Sequence, residues 1–160
     1  NRPRRLQLIR VWRICEAEHV AFDGEGARLY GGRWNHPGAP VVYSSSTLAL
    51  AVLELFVHVD LPEMPQDLVA IPADIPGTVR IRRITQSQLP ADWREYPAPG
   101  ALADLGTRWA RDRKTAVLAV PSAIVPWELN YLLNPLHPAF KRVRIGKPKP
   151  FHFDPRMWKR

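Results

Sequence analysis

Apolar and polar positions along the chain change period often, and 17 prolines divide it into short elements. Leu8 to Ile14 alternates and predicts a strand. Val41 to Ser44 reads as a short buried strand, and Ser45 and Ser46 can cap the helix that follows. In that helix Leu48, Val52, Leu55, Phe56 and Val59 recur at helical spacing on one face, and Pro62 and Pro65 end it. Leu68 to Ile71 and Thr78 to Ile84 are expected strands on either side of a Pro/Gly turn. Leu102 to Lys114 predicts a second helix, with Leu102, Leu105, Trp109 and Ala110 as its apolar stripe. Ala116 to Val120 is a strand stopped by Pro121. After an irregular, proline-bounded piece, Phe140 to Ile145 is expected as the last strand. Short strands with few helices, outside strict βαβ alternation, indicate the α+β class.

Composition narrows this picture. A chain of 160 residues suits one domain over residues 1–160, and 46% hydrophobic residues with six Trp can bury a sizeable core. A single cysteine, Cys15, excludes an internal disulfide framework and any cysteine-based zinc site. No apolar run reaches the ~18 residues of a membrane span, and the start NRPRRLQLIR lacks a signal peptide's apolar core. The expectation is a cytoplasmic protein with no membrane partner.

The net charge of +8 favours polyanionic or acidic partners. The basic residues are nevertheless dispersed, from Arg2, Arg4 and Arg5 through Arg80, Arg82 and Arg83 to Lys141, Arg142 and Arg144, with no nucleic-acid-binding motif. They read as solvated faces with one or two phosphate-binding arginines among them. A basic module that binds nucleic acid or an acidic protein, without chemistry, stays open as an alternative.

Phe22 to Gly38, FDGEGARLYGGRWNHPG, is dominated by turn residues. Its spacing is neither G-x-G-x-x-G before a helix nor a P-loop, so alone it reads as a structural loop. The five histidines show no metal-ligand spacing, no serine sits in a G-x-S-x-G elbow, and no metal is expected. More informative is the arrangement around the glycines. Arg13 closes the first strand, Arg33 lies within GGRWN, Tyr43 ends the second strand, and Glu54 sits on the first helix. At 100° per residue Glu54 lies away from the apolar stripe, near Thr47, Ala51 and His58, and Ala51 leaves room for a ligand beside the carboxylate.

Together these residues resemble a known pattern. Arg13, Gly24-x-Gly26-Ala27, Gly31-Gly32-Arg33-Trp34-Asn35, Val42-Tyr43-Ser44-Ser45 and Ala51-x-x-Glu54 are similar to the RES domain. Pro121-Ser122, Glu128-Leu129-Asn130, the NPLHP segment at 134–138 and Phe153-Asp154-Pro155-Arg156 continue the match. It is weakest between about Leu61 and Lys114. The resemblance implies a fold like the diphtheria-type ADP-ribosyltransferases, a pair of small sheets flanked by a few helices, with an NAD⁺-binding cleft. It further implies a toxin paired with an Xre-type antitoxin, meeting nucleic acid only through that partner. The implied activity is NAD⁺ breakdown by hydrolysis or phosphorolysis, or transfer of ADP-ribose to a protein such as phosphoribosyl-pyrophosphate synthetase. NAD⁺ would be a substrate.

Residue chemistry accommodates that role. Cleaving the nicotinamide–ribose bond leaves an oxocarbenium-like ribose, which a carboxylate at Glu54 would stabilise. Tyr43 could stack on nicotinamide. Arg13 and Arg33 are permanently charged forks suited to the pyrophosphate. Gly32 lets the backbone approach the ligand, and Trp34 and Ser44 are further candidates for contact with NAD⁺. Ser122 and Asn130 are candidates for polar positioning, although a hydroxyl after proline is commonly a turn or cap.

Overall fold

A computed structural model describes residues 7–60 and 63–158. Arg2, Arg4, Arg5 and Pro62 lie outside the described residues. Among the described residues eight strands form one sheet: β1 (Ile9–Glu16), β2 (Val42–Ser45), β3 (Leu68–Ile75), β4 (Ile81–Arg83), β5 (Val117–Pro121), β6 (Leu129–Leu133), β7 (Arg144–Ile145) and β8 (Lys149–Pro150). Their order is β4-β5-β6-β2-β1-β3-β7, with β8 also on β3. All pairings are antiparallel except β4 with β5. The helices are α1 (Glu25–Tyr30), α2 (Leu48–Phe56) and α3 (Gly100–Asp112). The α+β class stands.

The expected pair of small sheets is replaced by a single sheet with a narrow waist. β1 and β3 pair along their full length, from Ile9↔Ile75 to Glu16↔Leu68, and β2, β6 and β5 form the other half. The halves meet in one register pair, Trp12↔Ser45. One shared rung keeps the ladder continuous, and β1 and β2 pair nowhere else along their described lengths.

Several elements differ from their sequence expectation, each for a physical reason. The glycine-rich stretch contains α1, entered from Gly24 at φ +68° and left through Gly31 at φ +71°. Both glycines occupy left-handed conformations that a Cβ disfavours, and a Cβ on Gly24 would also sit 2.5 Å from the Val41 amide nitrogen. Neither Ser45 nor Ser46 caps α2. Thr47 does, its hydroxyl accepting from the Leu50 amide at 3.1 Å, while the Ser45 side chain is committed to Asn130. β3 runs four residues beyond the expected end, because β1 pairs with it throughout. The irregular piece contains β6, buried between β2 and β5. Phe140–Ile145 is mostly a 3-10 turn over Pro138–Arg142, capped by His137 Nδ1, and only Arg144–Ile145 is extended.

The largest correction concerns which face of α2 is inward. Its buried residues are Leu50 and Ala51, whereas Leu48, Val52, Leu55 and Phe56 are half-buried. At 100° per residue Leu50, Glu54 and Ala51 share one flank. Glu54 is therefore on the inward flank of the helix, not on a solvent face. The half-buried apolar stripe is covered in part by the C-terminal segment, where Phe153 lies 5.8 Å from Phe56.

The sheet separates two cores. One contains Val11, Ile71, Val117 and Leu133, and the other Trp34, Val41, Trp109, Leu118 and Leu132. Alternation along β5 explains the division, since Val117 and Ala119 enter the first core and Leu118 and Val120 the second. The second core brings α3 against the Gly31–His36 loop, and this contact sets one wall of the site.

Candidate functional site

A cleft of about 690 Å³ opens beside the waist of the sheet. β1 contributes Trp12, Arg13 and Ile14, and β2 contributes Tyr43, Ser44 and Ser45. α2 adds Ala51, Glu54 and Leu55, with His58 just beyond its end, and the glycine loop adds Tyr30 to Trp34. Asn130 of β6 and Tyr96 complete its polar lining. Arg13, Gly32, Arg33, Trp34, Tyr43, Ser44, Glu54 and Asn130 are thus brought to one cavity. Ser122, fully buried, is not in its wall but stands behind Glu54.

Glu54 is held from one side. Its Oε1 accepts hydrogen bonds from Ser122 Oγ and from Asn130 Nδ2, each at 2.7 Å. Oε2 has no partner among the described residues, so one carboxylate oxygen is fixed and the other is available. Asn130 is in turn set by Ser45, which stands opposite it in the β2–β6 register and donates to Oδ1 at 2.8 Å. The Ser122 hydroxyl also accepts from the Ile124 and Val125 amides at 3.1 Å. It caps a turn and orients the carboxylate at once. Removing it leaves two half-buried amide donors and the Glu54 carboxylate short of a partner, so Ser122→Ala is expected to cost about 2 kcal/mol. Thermal unfolding should register this as a drop of roughly 4–8 °C; an unchanged melting temperature would show that the hydroxyl does not hold the turn.

Tyr43 is fixed by its hydroxyl, which donates to Asn35 Oδ1 at 2.6 Å and accepts from the Trp34 amide at 3.1 Å. Burial pushes its phenol well above the ordinary range, so it stays a neutral donor. Asn35, 1% exposed, spends its Nδ2 on the carbonyls of Ala27, His36 and Ala39. Gly32 is required by closeness, because a Cβ there would sit 2.7 Å from the Tyr43 hydroxyl. The glycine loop and Tyr43 form one rigid unit.

The arginines differ. Arg33 Nη1 donates to the carbonyls of Trp93 at 2.9 Å and Glu95 at 3.1 Å. Burial lowers its pKa, opposed by the nearby negative charge of Glu54, and an arginine remains charged regardless. Arg13 donates through Nη2 to the His19 carbonyl at 2.9 Å and lies 5.2 Å from the Phe22 ring centroid. Its Nη1 is buried without a hydrogen-bond partner among the described residues. Trp34 is 3% exposed and belongs to the second core, so it supports the wall more than it lines it. The Ser44 hydroxyl is turned into the sheet, donating to the Tyr131 carbonyl at 2.8 Å.

The sequence marked no site role for Asn35, Tyr30 or Tyr96, and offered Ser45 only as a helix cap. Asn35 was visible within GGRWN, whereas nothing local marks Ser45 as the partner of a residue 85 positions away. Among the described residues, Glu16, Glu18 and His19 are the only group that brings three metal-ligating side chains within 4.8 Å, and none of them lines the cleft.

A family model described as the RES domain matches residues 10–154. The chain belongs to the RES domain family. Its relatives include a Sphingobium protein named Prs ADP-ribosylating toxin, 38% identical over 154 residues, which span 91% of this chain and 94% of that one. A Yersinia enterocolitica protein named Toxin Res is 36% identical over 150 residues, spanning 92% and 98%. A chain of the Mycobacterium tuberculosis MbcT–MbcA toxin–antitoxin complex superposes with a TM-score of 0.69 at 17% identity, covering 91% of this chain and 85% of that one. At that identity the likeness is one of fold. Among the described residues of this RES domain, no helix is long and apolar enough to cross a membrane.

Proposed function

We propose that this RES domain is the toxin of a toxin–antitoxin pair and that its cleft binds NAD⁺ and cleaves the nicotinamide–ribose bond. The observation that carries the reading is Glu54, a carboxylate with Oε1 held by Ser122 and Asn130 and Oε2 free beside a cleft. A preorganised anion of this kind stabilises positive charge developing on ribose without reorganising during the reaction. Nicotinamide departs as a neutral molecule, so no acid is needed to protonate it, and the oxocarbenium carbon is taken by water or phosphate. Tyr43 offers a ring fixed through its hydroxyl for nicotinamide to pack against. Arg13 and Arg33 supply positive charge for the pyrophosphate. The unpartnered Nη1 of Arg13 costs about 1–3 kcal/mol of desolvation, which a small rotation toward a bound anion would relieve.

A relative named as a Prs ADP-ribosylating toxin supports a second reading, in which a protein side chain takes the ADP-ribose. The same floor serves both, because only the acceptor differs. The structural neighbour belongs to a toxin–antitoxin complex, which supports an antitoxin partner; we assign that partner to the Xre type and the action to the cytoplasm.

The test is nicotinamide release from NAD⁺ by the purified, antitoxin-free protein, with and without phosphate and with and without a cell lysate. Release without lysate is expected, and its phosphate dependence separates phosphorolysis from hydrolysis. Release only with lysate, with label from NAD⁺ on one protein band, would establish the transferase reading. No release from folded protein under any condition would overturn both.

A further inference from the structure

The four tyrosines fall into two groups. Tyr43 has its hydroxyl committed at the floor of the cleft, and Tyr131 is 5% exposed within the first core. Tyr30 and Tyr96 are 84% and 80% exposed, yet both line the cleft. Neither hydroxyl has a hydrogen-bond partner among the described residues. Exposure alone would mean little, since Trp127 is 90% exposed and does not line the cleft. What distinguishes Tyr30 and Tyr96 is that they are uncovered at the mouth of a cavity whose floor is charged.

Their relative placement is fixed. Tyr30 ends α1 and leads directly into the Gly31–Trp34 loop, which Asn35 and Tyr43 hold rigid. Arg33 in that loop donates to the carbonyl of Glu95, the residue before Tyr96, and to that of Trp93. One guanidinium therefore ties the segment carrying one tyrosine to the segment carrying the other. The His58 ring lies 6.2 Å from that of Tyr96 at 53°, which supports Tyr96 from the α2 side. Ala27 and Ala98 are the small residues nearby in the wall.

We propose that Tyr30 and Tyr96 form a base-stacking subsite at the cleft mouth that takes a purine ring, the adenine of NAD⁺. This deepens the reading above and rests on it. Aromatic rings held at an open lip and not covered by the protein suit a flat ligand, because a base has two π faces and stacks without needing hydrogen-bond readout. The gradient of the site gives the direction. Glu54 and Tyr43 sit at its half-buried end, the cationic Arg33 lies between, and the exposed rings stand at the rim. A dinucleotide laid along this gradient places its reacting ribose at Glu54, its phosphates at the arginines and its base at the tyrosines.

The test uses AMP, the base-bearing half of the dinucleotide, titrated calorimetrically into the purified protein, with ribose 5-phosphate as the baseless control. Tyr30→Ala and Tyr96→Ala are each expected to weaken AMP binding by roughly 5- to 150-fold, the range that loss of one stacked aromatic produces. Tyr30→Phe and Tyr96→Phe should keep AMP affinity, and affinity for ribose 5-phosphate should not change in any variant. Both side chains are exposed, so all four variants should fold, as circular dichroism would verify. A parent protein that does not bind AMP overturns the subsite. So do Ala variants that bind it within twofold of the parent, and Phe variants that fall as far as the Ala ones. Nicotinamide release by the parent, measured in parallel, keeps the two readings apart. Release together with unchanged AMP affinity in the Ala variants removes the subsite alone. Affinity lost in the Ala variants of a parent that releases no nicotinamide supports the subsite and removes the cleavage reading.

Discussion

Glu54→Gln is expected to lower nicotinamide release from NAD⁺ by at least about 10²-fold while leaving the protein folded. The magnitude follows from removing one preorganised electrostatic contact to a charge that develops in the transition state, typically 2.7–4 kcal/mol. Gln is the informative substitution because its amide oxygen can still accept from Ser122 and Asn130, as Oε1 of Glu54 does at 2.7 Å. The scaffold behind the residue therefore survives, and only the negative charge is lost. Stability should change little, and substrate affinity less than turnover, because the ribose is neutral in the ground state. Initial rates followed by chromatography of released nicotinamide would check this. A Gln variant within threefold of the parent would remove Glu54 from the chemistry, and with it the feature on which the cleavage reading stands.

Gly106→Ala should produce the largest structural effect, a loss of about 3 kcal/mol that appears as a melting temperature lower by roughly 6–12 °C. Gly106 lies in α3 where the helix meets the glycine loop. A Cβ there would collide with the Trp34 carbonyl oxygen and approach its carbonyl carbon to 2.8 Å. This backbone cannot simply yield. Trp34 is anchored through its amide to Tyr43, and the next residues are tied to α3 itself. The His36 amide donates to Thr107 Oγ1 at 2.9 Å, and the His36 ring meets Asp104 at 2.6 Å. Displacing α3 or the loop would also shift Tyr43 and Arg33, so nicotinamide release should fall along with stability. Thermal unfolding and the release assay on the same sample would test the coupling. An Ala variant that melts with the parent would show that α3 and the loop can separate without cost.

Much of the fold is legible in local pattern. The strands β1, β2 and β5 and the helices α2 and α3 announce themselves because periods of 2 and 3.6 are written into neighbouring residues. β6 does not, since Leu129–Leu133 is covered by a strand on each side and Tyr131, Leu132 and Leu133 are all buried, leaving no alternation to read. α1 is hidden because it is six residues long and bounded by glycines that a sequence reader takes for turns. Phe140–Ile145 has strand composition but lies after a proline with a histidine cap, and the cap decides the conformation.

The division at the cleft is sharper. From sequence alone, matching residues such as Arg13, Gly31-Gly32-Arg33-Trp34-Asn35, Tyr43 and Glu54 could be named as a set, because their types and order form a recognisable pattern. Sequence could not say that Leu50, Ala51 and Glu54 form the inward flank of α2, since periodicity identifies faces without saying which one meets the sheet. Nor could it say that Ser122 and Asn130, 68 and 76 residues beyond Glu54, converge on the same carboxylate oxygen. It could not show that Arg33 clips two backbone carbonyls about 60 residues away, or that Tyr30 and Tyr96 stand at one opening. Propensity and period act over a few residues and determine the elements. Hydrogen-bond partners and cavity walls depend on which strands share a rung, and here the single Trp12↔Ser45 pair that joins the two halves of the sheet decides where the cleft lies.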